Sequence, residues 1–203
     1  MRTVVGYIPS GYLNSAASTS PTGSVDAETG LPINTGLGVG QITEVTDADA
    51  LAWSNPNTTT YVNKLYSGTY VWAQLDPAIT SSTAIGVGTP LYFLNTGSGY
   101  VVTNVQTAYT DAPDFAGVCI DPSMSGTVPY AFIQINGKVA CLFDSSQAPT
   151  VGAVVNLTSG AATFAALAQG TFTVTQPTVG YALTAGSAST TQYVRITRPV
   201  VRF

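Results

Sequence analysis

The feature that most constrains the fold of this chain is a series of short apolar runs, each closed by Gly, Pro, Asn, Asp or Ser. Residues 70–75, 90–94 and 115–120 are the clearest of them, and each is rich in β-branched or aromatic side chains. Runs of this length and composition, bounded by turn residues, are typical of β-strands. Further runs of the same kind occupy residues 100–105, 130–135, 138–143, 153–157, 171–175, 179–183 and 192–196.

At least nine such runs follow one another without helical crossovers between them, and this arrangement predicts an all-β fold. We expect an antiparallel β-barrel or β-sandwich of short strands with at most one or two short helices. Asn136-Gly137 separates two of the runs and predicts a hairpin, because both residues tolerate the positive φ of a type I′ turn. A short helix is predicted near residues 46–53, and the Ala-rich residues 161–169 are the other candidate.

The chain divides into an extended N-terminal arm with a linker, residues 1–60, and a single β-rich domain, residues 61–203. Residues 1–40 contain seven glycines and three prolines, a composition that cannot bury enough apolar surface to become ordered alone. We therefore expect an arm that becomes ordered against a neighbouring subunit, with a tail of no fixed structure as the alternative. The apolar residues that would contact this partner are Tyr7, Ile8, Tyr12, Leu13, Leu31 and Ile33.

Charged residues are scarce, at 8% of the chain, and histidine is absent. An average soluble domain has roughly a quarter of its residues charged. The absence of histidine excludes every mechanism that uses an imidazole as base, acid or metal ligand. We expect no enzymatic activity and no cofactor. Because surface charge keeps soluble proteins apart, so low a charge also predicts lasting contact with another protein.

The basic residues are concentrated at the C-terminal end, where Arg195, Arg198 and Arg202 make up half of the six in the chain. Alternation along this run predicts that Arg195 shares a face with Tyr193 and Thr197, opposite Val194, Ile196 and Arg198. The net charge of −4, without a basic stripe elsewhere, argues against nucleic acid as a partner. We expect these arginines to contact carboxylates, on this chain or on a partner subunit.

Two groups of acidic residues leave alternatives open. Glu44, Asp47 and Asp49 could meet a calcium ion, but carboxylates at the start of the predicted helix explain them equally well. The segment lacks the glycine turn and the terminal bidentate acid of a calcium loop, so we expect no metal. Asp111 and Asp114 could serve an enzyme that uses carboxylates alone, and loss of activity on their substitution would be the test.

Neither the cysteines nor the N-terminus has the pattern of a secreted protein. Cys119 and Cys141 are too few for a disulfide scaffold and lack the CxxC spacing of zinc or redox sites. We expect free buried thiols, and a disulfide stays open if the strands that carry them are adjacent. Without a signal-peptide pattern or a membrane span, we expect a protein made and used, or assembled, inside a cell.

Several blocks of the second half carry a resemblance to a known family. They are GTPLY at residues 88–92, FAGVCI at 115–120, FIQINGKV at 132–139, VG at 151–152, VGYAL at 179–183 and YVRI at 193–196. In this order they resemble the head decoration, or capsid cement, proteins of tailed bacteriophages. The resemblance covers roughly residues 85–203, and the first 60 residues lie outside it.

The resemblance implies a small β-barrel or β-sandwich protein without an active site. Such a protein binds the outer surface of an assembled phage head, often as a homotrimer, and bridges neighbouring subunits of the major capsid protein. Its partners would be the capsid and its own copies, with no nucleic acid and no membrane. It would be synthesised in the cytoplasm of the bacterial host. The alternative is another virion component, such as a head fibre, a spike or a tail adhesion protein.

Overall fold

The fold is taken from a computed structural model, which describes part of the chain. The described residues are 4–5 and 167, for their backbone, and 39–40, 42–48, 50, 66–94, 100–104, 115–122, 124–158, 162–166 and 178–197. The strands in this part are β1 (Val4–Val5), β2 (Ile42–Val45), β3 (Gly68–Leu75), β4 (Pro90–Phe93), β5 (Val101–Thr103), β6 (Phe115–Cys119), β7 (Tyr130–Leu142), β8 (Val154–Leu157), β9 (Phe164–Leu167), β10 (Thr178–Ala182) and β11 (Thr191–Ile196).

Five of the strands form a closed barrel, in the order β3-β5-β4-β6-β7, which the pairing of β3 with β7 closes. All neighbours in this ring are antiparallel except β3 and β5, which are parallel. The predicted all-β fold is therefore confirmed, as a barrel. The barrel core contains Val71, Ala73, Leu75, Leu91, Phe93, Val102, Ala116, Ala131, Ile133 and Ile135.

Strand β3 is buried on both faces, which explains why its sequence is an almost unbroken apolar run. Val71 and Ala73 point into the barrel core. Tyr70 and Trp72 point outward into a second cluster, where the rings of Trp72 and Phe132 are 4.9 Å apart between centroids. A strand covered on both sides needs no alternation of apolar and polar residues.

Strands β11, β10, β8 and β9 continue from the second half of β7, in the order β7-β11-β10-β8-β9, and we call this part the second sheet. Its apolar side packs on the outside of the barrel, where Tyr92, Phe115 and Val118 join the core of the second sheet. The sheet curls until Phe164 of β9 forms a parallel bridge with Phe143, directly after β7. Strand β7 therefore belongs to both halves of the molecule.

The hairpin predicted at Asn136-Gly137 is wrong, because β7 runs through this dipeptide as one strand. Gly137 has a φ of +100°, so the positive φ that the dipeptide allows is used to bend the strand and not to reverse it. Next to the bend, Thr69 pairs with Asn136 while Tyr70 pairs with Gln134, which leaves Ile135 as the extra residue of a β-bulge.

A buried glutamine stabilises this bend. The Nε2 of Gln134 donates hydrogen bonds to the carbonyl oxygens of Asn136 at 3.0 Å and of Lys138 at 2.9 Å. The amide of Gln134 is buried, and a buried donor without a partner costs about 1–3 kcal/mol. The two hydrogen bonds give this amide its partners and link Asn136 and Lys138, on either side of Gly137, to the strand before the bend.

Two further predictions concern helices. The helix predicted at residues 161–169 is wrong, because Phe164–Leu167 forms β9 and Phe164 is buried in the core of the second sheet. Burial of this aromatic side chain outweighs the helix propensity of the alanines around it. Near residues 46–53, Asp47, Ala48 and Ala50 have helical backbone, and the N–H of Ala50 donates to the carbonyl of Thr46 at 2.9 Å.

The pattern of the sequence does not predict β1 or β2, which both lie in the segment assigned to the arm and linker. Strand β2 pairs antiparallel with β3, and β1 pairs parallel with β2. The strand predicted at residues 171–175 lies outside the described residues. Within the described ranges no helix is long and apolar enough to span a membrane.

Replacing Gly137 with alanine tests the bend in β7. A Cβ there would lie 2.5 Å from the carbonyl oxygen of Ser67 and 2.9 Å from the Cα of Gly68, whereas at Gly152, with φ of +80°, nothing lies within 4 Å. Both substitutions bring the strain of a left-handed residue, about 1–2 kcal/mol. Only Gly137→Ala adds overpacking, so we expect it to lower the free energy of unfolding by about 1–3 kcal/mol more than Gly152→Ala.

Urea-induced unfolding of the two variants measures this difference. The expectation is also met if the Gly137→Ala chain does not fold while the Gly152→Ala chain does. Equal losses in the two variants would contradict the close backbone crossing at Gly137.

Candidate functional site

Of the residues predicted to contact a partner, Arg195 is the one that the structure describes. It lies on β11 and is exposed on the same side as Tyr193 and Thr197, while Val194 and Ile196 are buried on the other side. The predicted alternation of this strand is therefore confirmed. The other predicted contact residues, Tyr7, Ile8, Tyr12, Leu13, Leu31, Ile33, Arg198 and Arg202, lie outside the described residues.

The register of the second sheet places basic and aromatic residues around Arg195. Arg195 is directly opposite Tyr181 on β10 and directly opposite Lys138 on β7. Tyr181 has 43% of its surface exposed, one of two large apolar side chains described as exposed. Together with Tyr193 and Tyr66, these residues form the outer surface that we call the tyrosine-cation face: Tyr66, Lys138, Tyr181, Tyr193 and Arg195.

Two of the tyrosines hold the ammonium group of Lys138. Its Nζ lies 4.3 Å from the ring centroid of Tyr193 and 4.8 Å from that of Tyr66. The two rings meet edge to face with centroids 5.1 Å apart, and the hydroxyl of Tyr66 donates a hydrogen bond to that of Tyr193. A cation within about 6 Å of an aromatic centroid is attracted to the face of the ring. Tyr66, which precedes β3, is thereby joined to β7 and β11.

Sequence reasoning identified Arg195 but missed Tyr66, Lys138 and Tyr181. The alternation of β11 gives the orientation of its own side chains, and nothing local indicates which strands lie beside it. A hairpin at Asn136-Gly137 would place Lys138 at the start of its second arm, without any connection to Arg195. Only the pairing of β11 with β7 and β10 brings these residues together.

The acidic residues considered as metal ligands do not form a cluster in the described part of the chain. Glu44 is exposed and accepts a hydrogen bond from the hydroxyl of Thr69 at 2.9 Å, and Asp47 is exposed in the helical turn. Among the residues that the structure describes, no three His, Cys, Asp or Glu side chains form a group that could hold a metal ion. Asp49, Asp111 and Asp114 lie outside the described residues.

The cysteines are free and buried, as predicted, and no disulfide joins them. Cys119 lies in the barrel core and Cys141 in the core of the second sheet. Burial raises the pKa of the Cys119 thiol to about 12, with a further rise from the nearby Asp121, and burial also raises the pKa of Cys141 well above its usual value. Both thiols are therefore protonated and poor nucleophiles at neutral pH.

Comparisons with known proteins give one solved structure to report. The chain is similar to the head fiber gp8.5 N base in bacteriophage phi29, with 12% sequence identity and a TM-score of 0.41. The similarity covers 66% of this chain and 98% of that chain. No protein-family model and no curated protein matches the sequence. At this identity and TM-score the comparison carries no argument about the fold or the function of this chain.

The buried thiols give a prediction for chemical labelling. We expect a thiol reagent such as 5,5′-dithiobis(2-nitrobenzoic acid) to leave native protein unreacted, because Cys119 and Cys141 have no exposed surface. After denaturation both should react. Ser145→Cys, at an exposed turn position, is the positive control and should add one thiol that reacts at once. Rapid reaction of a thiol in the native wild-type chain would contradict the burial of both cysteines.

Proposed function

We propose that this chain is a structural protein of a bacteriophage virion that binds the outer surface of the head. It bridges neighbouring subunits of the major capsid protein, acts as a trimer, and has no enzymatic activity. The observation that carries the proposal is the tyrosine-cation face, an exposed surface on a sheet whose other side is packed on the barrel. Tyrosine and arginine are the residues enriched where proteins bind one another.

The sequence blocks that resemble capsid decoration proteins support the proposal. Residues 88–92, 115–120, 132–139, 179–183 and 193–196 each overlap a described strand, and so belong to the framework of the barrel and the second sheet. A rigid framework suits a protein that must hold two capsid subunits at a fixed spacing. Because many copies bind one shell, each contact can be modest and the assembly still holds.

The N-terminal arm is proposed as a second contact with the capsid or with a neighbouring copy. Apart from β1, which pairs with β2, the arm joins the described fold at Val39, which packs against both the barrel core and the outer cluster of Trp72. The N–H of Gly40 then donates to the carbonyl of Trp72 at 2.7 Å. An arm that starts from so well packed a position can bear load between subunits.

A head fibre, spike or tail adhesion protein is the alternative function. A β-framework with an exposed tyrosine-rich face suits adhesion to cells or glycans as well as attachment to a shell. The position of the protein on the particle separates the two functions.

Binding to phage heads that lack this protein tests the proposal. We expect the purified chain to bind such particles saturably, and electron cryomicroscopy of the complex to show density on the outer surface between neighbouring capsid subunits. Density at fibre or tail positions would favour the alternative. Particles that remain bare at saturating protein would contradict a virion role for the chain.

A truncated chain tests the arm. Deleting residues 1–38 removes the two-residue edge strand β1 but retains Val39, Gly40 and β2, so the barrel and the second sheet should keep most of their thermal stability. Because loss of one of two linked contacts removes the gain from avidity, we expect occupancy of the heads at limiting protein to fall at least about tenfold. Undiminished occupancy would contradict a role for the arm in attachment.

A further inference from the structure

The environment of Arg195 is unusual for an exposed cation on a β-sheet. Its nearest neighbours on the same face are Tyr181 and Lys138 on the adjacent strands and Tyr193 and Thr197 along β11. None of the four is acidic, and one carries the same charge as Arg195. Like charges directly opposite each other in an antiparallel pair are destabilising, so the free protein retains an unfavourable pairing at this point.

The two cations, Lys138 and Arg195, differ in the side chains that contact their charged groups. The ammonium of Lys138 lies against the rings of Tyr66 and Tyr193, at 4.8 and 4.3 Å from their centroids. Arg195 is exposed, and its strand lies between the strands that carry Lys138 and Tyr181. The forked donors of its guanidinium can bind an incoming anion.

We infer that the tyrosine-cation face binds carboxylate groups of an acidic protein segment, with Arg195 as the residue that contacts them. An anion next to Arg195 and Lys138 would turn their mutual repulsion into attraction for both. The hydroxyl of the exposed Tyr181 can donate a further hydrogen bond to a carboxylate. The inference rests on the proposed function in taking this segment to belong to the capsid protein.

Three of the five described acids, Glu44, Asp76 and Asp144, accept hydrogen bonds from other groups, which favours a partner as the source of the carboxylate. Glu44 accepts from the Thr69 hydroxyl, Asp76 from the N–H of Ala78, and Asp144 from the N–H and hydroxyl of Ser146. The hydrogen bonds from Ser146 hold the pKa of Asp144 below its usual value.

Carboxylates are favoured over the phosphates of a nucleic acid. Phosphate-driven binding needs a stripe of basic residues that neutralises many charges at once. The face presents two cations, on a chain whose net charge is −4. Such a site suits one or two carboxylates held at short range better than a polyanion held at long range.

The experiment measures binding of a fluorescent ten-residue glutamate peptide to the full chain, with a glutamine peptide of the same length as the neutral probe. The variants are Arg195→Gln and, as a control with the same change of net charge, Ser82→Glu in the exposed loop between β3 and β4. We expect the wild type to prefer the glutamate peptide, and Arg195→Gln to weaken its binding about tenfold, as for loss of a hydrogen-bonded charge. Ser82→Glu should weaken it less than twofold.

Thermal stability distinguishes a binding role from a structural one. Because Arg195→Gln removes the repulsion from Lys138, its Tm should equal or exceed that of the wild type while its affinity falls. A lower Tm together with unchanged peptide affinity would overturn the inference. So would tighter binding of a single-stranded DNA of equal charge than of the glutamate peptide, or self-association of the wild type that Arg195→Gln abolishes.

Binding of the same variants to phage heads separates this inference from the proposed function. Heads that bind wild type and Arg195→Gln equally would overturn the inference and leave the proposed function standing. If the heads bind neither the wild type nor Arg195→Gln, while the glutamate peptide still binds the wild type more tightly than the variant, the proposed function is overturned and carboxylate binding stands.

Discussion

The close crossing of two backbones at Gly68 and Gly137 is the constraint on which both halves of the molecule depend. A Cβ at Gly68 would lie 2.2 Å from the carbonyl oxygen of Asn136, so β3 and β7 can pair here only if both positions lack side chains. On one side of this point β7 closes the barrel with β3 and β6, and on the other it begins the second sheet with β11. Gln134 donates hydrogen bonds to the carbonyls of Asn136 and Lys138, on either side of Gly137.

The same crossing positions the tyrosine-cation face. Lys138 directly follows Gly137, and the bend sets the second half of β7 beside β11 with Lys138 opposite Arg195. Tyr66 lies two residues before Gly68 and reaches Lys138 and Tyr193 from the barrel side. The proposed binding surface thus lies at the junction of the two halves, and its contacts join residues of both.

The sequence predicted most of the strands but not their connections. Strands β3 and β11 could be predicted because the local sequence of each reflects its burial. Strand β3 is buried on both faces and is apolar throughout, whereas β11 is buried on one face and alternates. The hairpin prediction at Asn136-Gly137 failed because a hairpin and a bulged strand both use a positive φ at this glycine. The helix prediction around Phe164 failed because the helix propensity of the alanines contributes less free energy than the burial of the aromatic ring.

By itself, the sequence determined that the fold is all-β, that imidazole chemistry is excluded, and that Arg195 faces away from the core. The tertiary structure decided which strands are neighbours, and with them that Lys138 and Tyr181 flank Arg195 and that Cys119 and Cys141 lie in separate cores. The physical reason is that the orientation of a side chain depends on the alternation within one strand. Pairing between strands distant in sequence depends on the burial and hydrogen bonding of the whole sheet, which no local pattern records.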